Sequence, residues 1–90
     1  VSLEMIQIFK EEVPTYLRDL LLALFNQQER QFVFQAHKMQ SAMWVMELMA
    51  FYELLAQLEN EPLGFEERLS ICTELCQGVE RLLASDAECT

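Results

Sequence analysis

The sequence predicts an all-α fold, an antiparallel four-helix bundle with a short extra helix at its N-terminus. Three observations predict it. Apolar residues recur every three to four positions through most of the chain, the helical rather than the strand period. Only two glycines and two prolines punctuate its 90 residues, so long elements must be joined by short turns. Few short stretches read as strands. The length predicts one domain over residues 1–90, near the lower end of sizes that fold without disulfides or metals.

The first helix is expected over about 2–12. Ser2 can cap it, Glu4 sits in the first turn where the helix dipole favours a negative charge, and Met5, Ile6 and Phe9 fall on one side. Pro14 lacks an N–H and suits a first turn, so it marks a fresh start or a bend, with a second helix expected over 14–26. Leu17, Leu20, Leu21 and Leu24 form its apolar stripe, and Asn26-Gln27-Gln28 makes a polar break. A third helix over 29–45 turns Phe32, Ala36, Met39 and Met43 inward, with Met46 just beyond its end. A fourth over 47–59 carries Leu48, Phe51, Leu55 and Leu58 until the turn chemistry of Asn60-Glu61-Pro62-Leu63-Gly64. The last, over 65–84, repeats Phe65, Leu69, Cys72, Cys76, Val79 and Leu83 as a bundle seam, and the tail from Ser85 reads as frayed. Gly78 inside it costs about 1 kcal/mol relative to Ala, a cost offset only if a neighbouring helix approaches closely.

Composition excludes several function classes. Fifteen acidic residues against six basic ones, a net charge of −9, remove the counterion-release drive for binding nucleic acid and point to a protein partner. The longest apolar runs, such as Leu20 to Phe25, fall far short of the roughly 20 residues a membrane span needs, so no direct membrane contact is expected. An odd count of cysteines, Cys72, Cys76 and Cys89, makes no disulfide framework and reads as reduced thiols, the first two in the core seam. A di-iron bundle would need inward Glu-x-x-His pairs, but Phe34 stands three before the single His37, so no metal site is expected. Glu11, Glu12, Glu66 and Glu67 read as solvated faces. A start at Val1 rather than Met reads as a piece of a longer protein.

His37 is the single histidine of the chain, and it follows Ala36 within the apolar pattern of the third helix. With Ala36 and Met39 inward, it lies about 100° round from Ala36, at the margin of the stripe or outside it. Its neighbours at three and four positions are Val33, Phe34, Gln40 and Ser41, with Trp44 two turns along. A lone helical histidine is more often an ordinary surface residue. Here, though, it is surrounded by apolar side chains that the core does not require, a combination suited to docking.

Three pieces of the chain share one further pattern. Phe9-Lys10-Glu11-Glu12-Val13-Pro14-Thr15-Tyr16-Leu17 places a Phe and an acidic pair before a Pro and a leucine-rich helix; Ala36-His37-Lys38-Met39 follows; Leu48 and the Leu58-Glu59 pair lie downstream. In this order they resemble the histidine-containing phosphotransfer (HPt) domain of multistep two-component phosphorelays. The departures are Gln40 where the family has Lys, Ser41 where it has Gly, and Glu47 where a second Gly is customary near the helix break.

The resemblance implies a mechanism and partners. His37 is the nucleophile: its outward ring nitrogen, Nε2 in the family, takes a phosphoryl group from a receiver-domain phosphoaspartate and returns it to another receiver's aspartate. Gln40 and Ser41 would orient the phosphoryl oxygens, and Val33, Phe34, Lys38 and Trp44 would dock the receiver. No cofactor is bound by the domain itself, Mg²⁺ being held by the receiver. It has no autonomous kinase activity, and its partners are receiver domains of response regulators or hybrid sensor kinases. A cytoplasmic location follows, including as the cytoplasmic C-terminal part of a membrane-bound sensor kinase. The competing reading is a degenerate helical adaptor that binds a receiver or kinase without transfer.

Overall fold

A computed structural model describes residues 1–88, with side chains through 84. It contains four helices, α1 Leu3–Phe25, α2 Glu29–Val45, α3 Met49–Asn60 and α4 Phe65–Glu88. Each packs against its two neighbours in a closed ring running α1, α2, α3, α4 and back to α1. The body measures 40 × 21 × 19 Å, its long dimension set by the 24 residues of α4 at about 1.5 Å each. No strand occurs among the described residues, and no helix there is long and apolar enough to cross a membrane. Cys89 lies outside the described residues.

The first two helices expected from sequence are a single helix. Ser2 caps it as predicted, its hydroxyl accepting from the Met5 N–H at 3.2 Å. Pro14 then sits within the helix instead of starting a new one. The reason is the apolar register: Phe9, Val13, Leu17, Leu20 and Leu24 are all buried, at steps of four, four, three and four, so the stripe passes straight through Pro14. Pro14 itself faces solvent. Burying the five side chains, at roughly 2 kcal/mol each, outweighs the ~3 kcal/mol an interior proline costs a helix.

The turns after α1 and α2 share one construction. Gln28 N–H bonds the Ala23 carbonyl and Gln27 N–H that of Leu24; Leu48 and Glu47 do the same to Met43 and Trp44. These are Schellman turns, whose penultimate residue must take a left-handed backbone. Gln27 and Glu47 adopt it with φ of 55° and 61°, although neither is glycine. At the start of α4, Gly64 N–H donates to the Glu67 carboxylate at 3.1 Å, half of a capping box. Arg68 then reaches Glu29 at the start of α2 with two hydrogen bonds of 2.6 and 2.8 Å, its guanidinium over the Phe32 ring.

The core contains Phe32, Ala36, Met39 and Met43 of α2 and Leu55 and Leu58 of α3, as their spacing predicts. On α4 the buried line is Cys72, Leu75 and Val79, with Cys76 and Leu83 only half-buried. The helix is thus rotated slightly from the predicted seam, toward Leu75. Phe65 is exposed at the bundle end, edge-on to Phe25 at 5.7 Å. α4 also runs to Glu88, past the expected end at 84. The close approach that Gly78 called for comes from α3: a Cβ there would lie 2.5 Å from Phe51 Cε1.

Candidate functional site

Helix α2 presents two faces. Ala36, Met39 and Met43 are sealed in the core, while His37, one step on, has 63% of its side chain exposed. The ring leans toward α3, where its Nδ1 lies 2.8 Å from Oε1 of Glu59. Glu59 follows the fully buried Leu58, which places it at the α2–α3 margin with 20% of its side chain exposed. A carboxylate can only accept, so Nδ1 carries the proton and the neutral ring keeps its lone pair on Nε2. The partner of Nδ1 therefore selects which nitrogen is nucleophilic.

The other residues expected at this site divide. Phe34 and Trp44 are exposed on the same side of α2 as His37, and Trp44 leans on Tyr52 of α3 with ring centroids 5.4 Å apart. Ser41 is exposed, but its hydroxyl donates to the His37 carbonyl at 3.3 Å, a bond back along its own helix that occupies its proton. Val33 is half-buried. Lys38 points away, its Nζ 5.1 Å from the centre of the Tyr16 ring on α1. Gln40 departs most from expectation: it is buried, 9% exposed. Three residues after His37 it stands about 60° nearer the core.

Two contributors went unnoticed in the sequence. Glu59 lies 22 residues from His37, and Tyr52 meets Trp44 only once α2 and α3 are in register. Glu59 had a signal, since it belongs to the Leu58-Glu59 pair of the family pattern. What was hidden was the register that aims its carboxylate at Nδ1.

The buried thiol of Cys72 and the half-buried one of Cys76 lie elsewhere, on α4. Burial pushes the Cys72 thiol up to about 12, with the neighbouring Cys76 adding to the rise and Arg68 opposing it; burial likewise raises Cys76. Among the described residues no three or more His, Cys, Asp or Glu side chains come together as a metal site would require. The arrangement at His37 is thus one exposed imidazole with its Nδ1 proton held by Glu59, beside exposed aromatic surface.

Comparison with known proteins finds no match among curated proteins and none among solved structures. A family model described as "Hpt domain" matches residues 4–88, nearly the whole chain and all four helices, and the chain belongs to that family, whose general function is histidine phosphotransfer in phosphorelays.

Proposed function

We propose that His37 is the phosphoryl-carrying residue, taking phosphate from a receiver phosphoaspartate and passing it to a second receiver's aspartate. The contact that carries this reading is His37 Nδ1 to Glu59 at 2.8 Å, which leaves the lone pair on Nε2 of a largely exposed ring. Attack by Nε2 on phosphorus forms the P–N bond as the P–O bond to aspartate breaks. Such a transfer asks for in-line placement and neutralised charge. In this reading the receiver supplies the charge through its Mg²⁺, and the carrier supplies a rigid ring on a helix whose inner face is packed. Exposed Phe34 and Trp44 give the receiver apolar contact around the ring. Gln40 plays no part in first contact, because it is covered; Ser41 orients a phosphoryl oxygen only by giving up its bond to the His37 carbonyl.

The setting proposed is cytoplasmic, with receiver domains of a response regulator or a hybrid sensor kinase as partners. One observation favours the competing adaptor: the side chain at the family's Lys position is a buried Gln, and Lys38 is engaged on Tyr16, so neither residue brings a cation to His37. Incubation with a panel of phosphorylated receivers separates the two. Transfer predicts acid-labile label on the chain that disappears in His37→Gln, and a loss of about tenfold or more in transfer efficiency for the paired Phe34→Ala and Trp44→Ala changes. Receiver binding without label would sink the transfer reading in favour of the adaptor.

A further inference from the structure

Glu59 meets the one ring nitrogen that phosphate does not use. Its role in the free protein is to choose the tautomer, but its charge has a second effect once phosphate is bound. When Nε2 attacks, the electron pair of the broken P–O bond leaves with the aspartate, and the ring, still bearing its Nδ1 proton, becomes an N-phosphoimidazolium with one positive charge. Two fates are open to it. If the Nδ1 proton is lost to water, the ring becomes a neutral N-phosphoimidazole, and cleaving its P–N bond would expel an imidazolate anion, a poor leaving group. If the proton is kept, the same cleavage expels neutral imidazole.

We infer that the Glu59 carboxylate, 2.8 Å from Nδ1, holds that proton on the phosphorylated ring, so that His37 carries phosphate in its labile, transferable form. The inference rests on the reading of His37 as the phosphate carrier. Transfer onward is then balanced without moving a proton: the receiver's carboxylate oxygen bonds phosphorus, the P–N pair returns to Nε2, and the ring is again the neutral Nδ1–H tautomer that began the cycle. Hydrolysis follows the same path with water as the nucleophile, and the proton lost by that water leaves on the phosphate. Glu59 touches neither phosphorus nor the attacking oxygen. It is a positioning residue that acts through the ring, and it makes the domain a fast donor at the expense of storage time.

The surroundings leave this effect to Glu59. On α2, the residues one turn either side of His37 are Val33, Phe34, Gln40 and Ser41, none charged. Arg30 shares the stripe two turns earlier, about 10 Å along the axis. Lys38 is turned to Tyr16 on α1. On α3, Tyr52 is taken up by Trp44, and Glu59 is the charged group that meets the ring. One unit charge ~4 Å from another at a protein surface changes an equilibrium by about tenfold at the low end, the end suited to so exposed a ring.

The test loads His37 chemically with phosphoramidate, a small phosphoryl donor that requires no receiver, and follows loss of the P–N bond by ³¹P NMR from pH 6 to 9. Glu59→Gln keeps an oxygen that can accept from Nδ1 but removes the charge. At pH 8 the unaltered chain should lose phosphate about tenfold faster than Glu59→Gln, and the two rates should converge in acid, where solvent protonates both rings. Imidazole ¹⁵N shifts of the loaded proteins should show Nδ1 protonated to higher pH in the unaltered chain, a readout that a merely structural role would not move. Superimposable pH profiles, or a Glu59→Gln protein that loses phosphate faster throughout, would overturn the inference. Chemical loading with no transfer from any receiver would defeat the phosphorelay reading while this comparison still decided the role of Glu59. Absence of label on a folded sample would remove both.

Discussion

Replacing Gly78 by alanine sets two opposed effects against each other. Alanine favours the interior of α4 over glycine by about 1 kcal/mol. The new methyl group, however, would lie 2.5 Å from Cε1 and 3.0 Å from Cζ of Phe51, against the 3.5–4.0 Å of an ordinary carbon contact. The Phe51 ring must therefore withdraw by about 1 Å, and overpacking of this kind costs about 1–3 kcal/mol. Phe51 is half-buried in the first turn of α3, with some room to swing, which places the cost near 2 kcal/mol and the net loss for Gly78→Ala near 1 kcal/mol. In a Phe51→Ala background the obstacle is gone, and the same change should stabilise by about 1 kcal/mol. Urea denaturation of the four proteins of the cycle, followed by helical circular dichroism, measures the coupling, expected near 2 kcal/mol. A stabilisation of about 1 kcal/mol by Gly78→Ala in both backgrounds would show that Phe51 does not require glycine and refute the packing of α3 on α4 described above.

Two other changes test the turns and the core. Glu47→Gly should raise stability by about 0.5–1 kcal/mol, because relief of a left-handed non-glycine residue, roughly 1–2 kcal/mol, exceeds the added freedom of the unfolded chain; a melting temperature that fails to rise by a few degrees would contradict the φ of 61° at that position. The Cys72 thiol, pushed up to about 12, should resist a maleimide at pH 8 except through unfolding. Its folded value lies above its unfolded one, so the stability it contributes is intact below about pH 8.5 and is lost as pH rises from there through about 12. Mass-resolved labelling of folded Cys72 at the rate of a free thiol would count against that burial.

How much of this was legible in the sequence varies with the range of the forces involved. The inner line of α2 follows from period alone, since Phe32, Ala36, Met39 and Met43 have no other face to occupy. Pro14 misled because a local rule was weighed without Val13, the buried residue that joins Phe9 to Leu17 in one stripe. At the site, the exposure of His37, Phe34 and Trp44 could be read from α2 by itself. The burial of Gln40 could not, because at the edge of the apolar stripe it depends on how closely the neighbouring helices approach, and that is fixed by packing across the bundle. The same holds for Glu59, whose contact with His37 joins two helices through a turn at Glu47.

The Trp44–Tyr52 pair beside His37 has a practical consequence. The chain has a single tryptophan, so all of its indole emission originates on the face that carries the imidazole. A receiver settling there would exclude water from that ring and shift its spectrum, whereas events at the far end of the bundle, around Phe25 and Phe65, would leave its emission unchanged. The domain thus contains its own optical reporter of partner engagement, readable in stopped flow with no label attached and in the same mixing experiment that times the phosphate.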